Sequence, residues 1–220
     1  MSKLQPLLKK YENNRVIRGL IQLVPFGIGS AIDVVLVKTL ENIQEERAAS
    51  FFEELAKDNV VVDENLLESE DFLHAYFATT RYALNSRRRE KIKMFARLLK
   101  SSLTKEDISN IDEYEDFLKI LDELSYREIL ALKTLDEYSS TPRTDEQNDL
   151  MWANQFWDEF ENRLAKELNI PVGQVADFMN RIARTGCYEM FTGGYWDYTG
   201  GKGKLTPTYH RLRNFVEGEE

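Results

Sequence analysis

The 220-residue chain holds a single cysteine, Cys187, and two histidines, His74 and His210. One thiol cannot form an internal disulfide, and such cysteine usage fits a reducing compartment. Soft-ligand metal chemistry lacks material too, because the two imidazoles lie far apart in sequence and Cys187 has no second thiol near it. No spacing among the many carboxylates calls for a metal, and no cofactor is expected. Positive charge is in deficit, with 29 Lys and Arg against 38 Asp and Glu and a net charge of −9. That balance is unsuited to a protein wrapped in nucleic acid over most of its surface.

Long apolar runs are also missing. The most apolar stretch, between Gly19 and Val37, is interrupted by Gln22, Pro25, Gly27, Gly29 and Asp33, which argues against a helix in hydrocarbon. A basic leader precedes it, but the leader is long for a secretory signal and no cleavage site follows. A cytoplasmic protein is the expectation. Catalytic signatures are absent as well: there is no G-x-S-x-G, H-E-x-x-H, D-F-G or glycine-rich nucleotide fingerprint. Adjacent acids such as Glu53 and Glu54 are expected to form solvated helix faces, since neighbouring helical positions point apart. His74, between Leu73 and Ala75 on an amphipathic segment, is expected to be packed, and His210 has no evident nucleophile partner. The chain reads as a non-enzyme.

What is present is a core. Hydrophobic residues make up 42% of the chain and aromatics 11%, enough for one large or two small folded domains. The first 124 residues read as five or six helices. "LVPFGIGSAID" is expected to be a buried elbow between two of them, with Pro25 breaking the helix and Ser30 and Asp33 near the next helix start. Ile32, Leu36, Leu40 and Ile43 then form an apolar stripe, continued by Phe51, Phe52 and Leu55. "NVVVDEN" is briefly strand-like. Phe72, Tyr76, Thr80 and Ala83 share a face, as do Ile92, Phe95, Leu98 and Leu99, and then Ile111, Tyr114, Phe117, Leu118 and Leu121.

Charge is distributed in blocks. Residues 1–18 carry a net of +4, residues 81–100 a net of +7, and residues 104–124 a net of −6. The middle block contains a candidate basic surface, Arg87, Arg88, Arg89, Lys91 and Lys93, which could face nucleic acid or anionic lipid. The favoured alternative is that the acidic block returns antiparallel and lies against it, which explains both blocks without a ligand.

A second domain is expected over residues 125–220. Ser125 and Glu128 form an S-x-x-E capping box ahead of Ile129, Leu132 and Leu135. Trp152, Phe156, Phe160 and Leu164 then read as one helix at an i+4 step. Pro171 opens a third helix with Val172, Val175, Phe178 and Ile182 inward, and Gly186 stands where a left-handed cap belongs. "CYEMF" is strand-like. "TGGYWDYTGGKGK" follows, and "LTPTYHRLRNF" closes with an amphipathic segment containing Leu212 and Phe215.

The order "PVGQVADFMNRIARTGCYEMF", long hairpin, "LTPTYHRLRNF" resembles the winged-helix superfamily, over residues 126–220. Gly186 and Leu205 lie 19 residues apart, a suitable span for a wing. The resemblance implies three helices plus a β-hairpin, and hence a mainly α protein with a helical N-terminal domain (1–124) and a winged-helix-like domain (125–220). The loop glycines serve the hairpin turn, because "GGKGK" lacks phosphate-loop spacing and no helix follows at once. On this resemblance the candidate DNA or partner surface is Gln174, Asn180, Arg181 and Arg184 on the third helix with Lys202 and Lys204 on the wing. Tyr195 and Trp196 either pack back or add an aromatic surface. Residues 126–220 hold 11 basic and 16 acidic side chains, and Asp177 sits on the reading face, so any DNA binding is expected to be weak.

The segment "LIQLVPFGIGSAIDVVLVK…EERAASFFEEL" resembles a leader of uncharacterised bacterial proteins, some linked to phage defence. That implies a bacterial cytosolic setting and a conditional membrane or partner contact. The leading expectation is a non-catalytic bacterial regulatory or interaction protein with a protein partner, self-association being left open. Its rivals are a DNA-binding transcriptional regulator and a membrane-acting effector using the apolar elbow.

Overall fold

The computed structural model describes residues 4–24, 34–57, 69–104, 111–144, 147–192 and 200–217, with backbone alone at 34–41 and 103–104. Among these the protein is mainly helical, with eleven α-helices and one two-stranded antiparallel sheet. Backbone contacts divide the chain into two compact units: residues 1–121 together with 215–220, and residues 122–214.

The first unit contains α1 (Gln5–Lys10), α2 (Arg15–Gln22), α3 (Val34–Leu55), α4 (Glu70–Asn85), α5 (Arg89–Thr104) and most of α6 (Ile111–Glu123). Asn14 starts α2, its side chain accepting the Ile17 N–H at 3.0 Å, and Ser69 starts α4 by accepting from Phe72 at 3.1 Å. The core is the seam where α3, α4 and α5 pack on one another. Phe51, Phe52 and Leu55 from α3, Phe72, Tyr76, Thr80 and Ala83 from α4, and Ile92, Phe95, Leu98 and Leu99 from α5 are all buried there. These are the faces that the 3.6-residue period predicts. Leu20 and Ile21 on α2 are buried as well, and the Tyr76 hydroxyl donates to the Leu20 carbonyl. Phe117 meets Phe215 edge-to-face at 5.2 Å, so the returning tail completes this core.

Several expectations for this unit change, and Glu54 is buried rather than solvated. Ile43 is 36% exposed, because Ala48, Phe51, Phe52 and Leu55 fix the buried arc of α3 and Ile43 falls outside it at about 100° per residue. His74 is not packed: its side chain is 61% exposed and pairs with Glu115 at 2.9 Å. The basic helix α5 packs mainly on α3, where Arg89 meets Glu53 at 3.1 Å and Arg97 meets Glu54 at 2.6 Å. These two pairs draw their acids from upstream in the chain. The elbow at 25–33, the strand-like "NVVVDEN" and the link at 105–110 lie outside the described residues.

The second unit contains α7 (Tyr126–Ser139), α8 (Asp149–Ala153), α9 (Trp157–Leu168), α10 (Val175–Ile182), β1 (Tyr188–Met190), β2 (Gly203–Leu205) and most of α11 (Pro207–Val216). The capping box forms as read: Ser125 Oγ accepts the Glu128 N–H at 3.2 Å, and Glu128 accepts the Ser125 N–H at 2.8 Å. Ile129, Leu132 and Leu135 are buried, and Gly186 caps the third-helix segment at φ +72°. In the sheet Tyr188 pairs with Leu205, Glu189 with Lys204 and Met190 with Gly203.

Two expectations change here. The segment through Trp152 and Leu164 is two helices, not one, with the chain turning at 154–156. Asn148 caps α8 through Met151 at 2.8 Å, and α9 restarts at Trp157. In one continuous helix Phe156 and Trp157 would point about 100° apart; the break lets both be buried. Val172 is 50% exposed because Val172–Gln174 form a tight 3₁₀ turn ahead of α10, which takes Val172 out of register with Val175 and Phe178.

Candidate functional site

The short α10 is the element that a partner-reading surface would use. Val175, Phe178, Met179 and Ile182 are buried, and Gln174, Asp177, Asn180 and Arg181 face solvent. The Arg181 guanidinium lies 5.2 Å from the Phe178 ring centroid, and Arg127 lies 5.7 Å from the same ring. Arg127 also donates to the Leu168 carbonyl at 2.6 Å, which ties the start of α7 to the end of α9.

Arg184 has a different role from its neighbours. It donates to both carboxylate oxygens of Glu128, at 2.8 and 3.2 Å, and to the Glu123 carbonyl at 2.8 Å. Glu128 is almost fully buried. Burial pushes its pKa up, but the Arg184 guanidinium and the Ser125 backbone and hydroxyl outweigh this and hold it below the usual carboxylate range. One carboxylate therefore closes the capping box of α7 and anchors the 3₁₀ turn that ends the α10 segment.

The hairpin cations are engaged as well. Lys204 Nζ lies 2.8 Å from Asp149, which Arg143 also reaches at 2.7 Å. Lys204 and then Arg143 hold Asp149 below its ordinary range. Lys202 donates to Asn154 Oδ1 at 2.7 Å. A polar cleft of about 380 Å³ lies beside this network, with Glu189 and Thr192 on its wall. Tyr195 and Trp196 lie outside the described residues.

In the first unit Arg87, Arg88 and Arg89 are exposed at the start of α5, and Lys91 and Lys93 are half-buried. Glu53 is shared by Arg89 and Lys10, the latter at 2.7 Å, and Lys91 lies over the Phe95 ring at 5.8 Å. Hydrogen bonding from Lys10 outweighs burial and lowers the Glu53 pKa.

A site that the sequence reading did not single out lies on the outer face of α4. His74, Phe77 and Arg81 stand there at i, i+3 and i+7, opposite Glu115 and Lys119 of α6, around a cleft of about 580 Å³. The available signal was that spacing together with the Glu115–Lys119 i,i+4 pair, but polar residues on an outer face carry no periodic mark that separates a site from a solvated surface. Among the described residues no cluster of three or more His, Cys, Asp or Glu side chains is arranged to hold a metal ion, and no helix is long and apolar enough to cross a membrane. Comparisons of the chain with protein-family models, with curated proteins and with solved structures returned no match.

Proposed function

We propose that the protein is a non-catalytic cytoplasmic regulatory or interaction protein whose second unit is a winged-helix-type module that binds a protein partner. The element order supports the module: α7, the α8–α9 pair, α10, a two-stranded hairpin and a closing helix. The junction after the hairpin supports it too, because Thr206 accepts the Tyr209 N–H at 3.3 Å and bonds back to Cys187, its amide donating to that carbonyl at 3.2 Å.

The observation that carries the choice of partner is the state of the cations. Arg184, Lys202 and Lys204 are bonded to Glu128, Asn154 and Asp149 within the unit. Neutralising phosphates would require breaking those bonds, whereas phosphate contacts dominate nucleic-acid affinity. Val172 and Arg181, exposed at the two ends of the α10 segment, suit a mixed apolar and polar protein interface.

Fluorescence anisotropy with a mixed-sequence DNA duplex tests this reading. At physiological salt, binding no tighter than about 1 μM is expected, the range of non-specific association. Tight binding that depends on sequence and is lost in Arg181→Ala would instead make the protein a DNA-reading regulator.

A further inference from the structure

The cleft on the first unit combines two features that its own side chains leave incomplete. Its volume of about 580 Å³ falls within the range of small-molecule sites, roughly 300–1,000 Å³. Phe77 on its wall is 40% exposed, an aromatic ring left open to solvent. Arg81, one turn further along α4, has the Tyr82 ring beneath it at 5.3 Å, and among the described residues no carboxylate pairs with it. The nearby acid is already engaged: Glu115 accepts from His74 at 2.9 Å and from Lys119 at 3.3 Å.

The complement of this wall is specific. An open ring favours a flat apolar body. A guanidinium with no carboxylate partner among the described residues favours an oxyanion, which it can bind through two parallel N–H groups. We propose that the cleft binds a small aromatic molecule that bears an oxyanion, with its ring on Phe77 and its oxyanion on Arg81. This site is separate from the α10 surface and does not depend on the reading of the second unit.

The probe 8-anilinonaphthalene-1-sulfonate carries both features, and N-phenyl-1-naphthylamine is the same skeleton without the sulfonate. Titration of the full chain is expected to show one saturable site for the sulfonate. Arg81→Gln should weaken it roughly tenfold, the worth of a charge-assisted contact, and leave the neutral probe nearly unchanged. Phe77→Ser should weaken both probes. Arg88→Gln, which removes an exposed charge elsewhere, should change neither, and Arg81→Lys should fall between wild type and Arg81→Gln. Equal losses for both probes in Arg81→Gln, or an equal loss of the sulfonate in Arg88→Gln, would overturn the proposal. Displacement by 1-naphthyl phosphate or by 1-naphthoate then assigns the oxyanion as phosphate or carboxylate, and displacement by neither would also overturn it.

Discussion

At the residue scale, Glu128 ties two parts of the second unit together, because it satisfies an orphan amide of α7 and holds Arg184 at once. Ser125→Ala removes half of the box and is expected to cost about 1 kcal/mol. Glu128→Ala should cost about 2 kcal/mol, since it also releases Arg184. The pH dependence has a definite sign. The Glu128 pKa is lower in the folded protein than in the unfolded chain, so its contribution is present above the unfolded value and is lost as pH falls through the folded one. Urea unfolding below pH 5 should therefore show a smaller loss of stability in Glu128→Gln than in wild type. The box itself was legible in sequence, since S-x-x-E ahead of an apolar run is a local pattern. The Arg184 bond was not, because the two residues are separated by 56 positions and no local rule connects them.

Among the elements, apolar faces were the most legible part of the fold. The stripes of α4, α5 and α6 are buried as the period indicates, because burial of a helix face needs only its own spacing. Pairing between elements was less legible. The basic α5 packs mainly on α3, where Arg89 and Arg97 meet carboxylates, since packing decides which helix is adjacent and chain order does not. The candidate cleft was invisible for the same reason, being a meeting of three helices. Arg97 reaches a buried carboxylate, whereas Arg89 is an exposed partner of a half-exposed one. Arg97→Ala is therefore expected to cost about 2 kcal/mol and Arg89→Ala under about 0.5 kcal/mol, as read from chemical denaturation. The hairpin makes its own demand. Gly201 has φ +93°, and a Cβ placed there would lie 2.6 Å from the Ala176 Cβ on α10. Gly201→Ala combines a disfavoured backbone with a clash against a helix, and a loss of about 2 kcal/mol is expected in the same measurement. Of the other loop glycines, Gly200 shares the positive φ at +92°, and Gly193 and Gly194 lie outside the described residues.

For the whole molecule, the chain path through the two units matters more than any single contact. The first unit is made of two stretches, residues 1–121 and 215–220, with the whole of the second unit between them in sequence. Phe215 stacks edge-on against Phe117, and the Val216 carbonyl accepts from Arg97 at 3.1 Å. On the ribosome these contacts cannot form until residues 215 and 216 have emerged, by which time every residue of the second unit has been made. The N-terminal unit, synthesised first, thus cannot complete its core until the whole of the second unit has also been made.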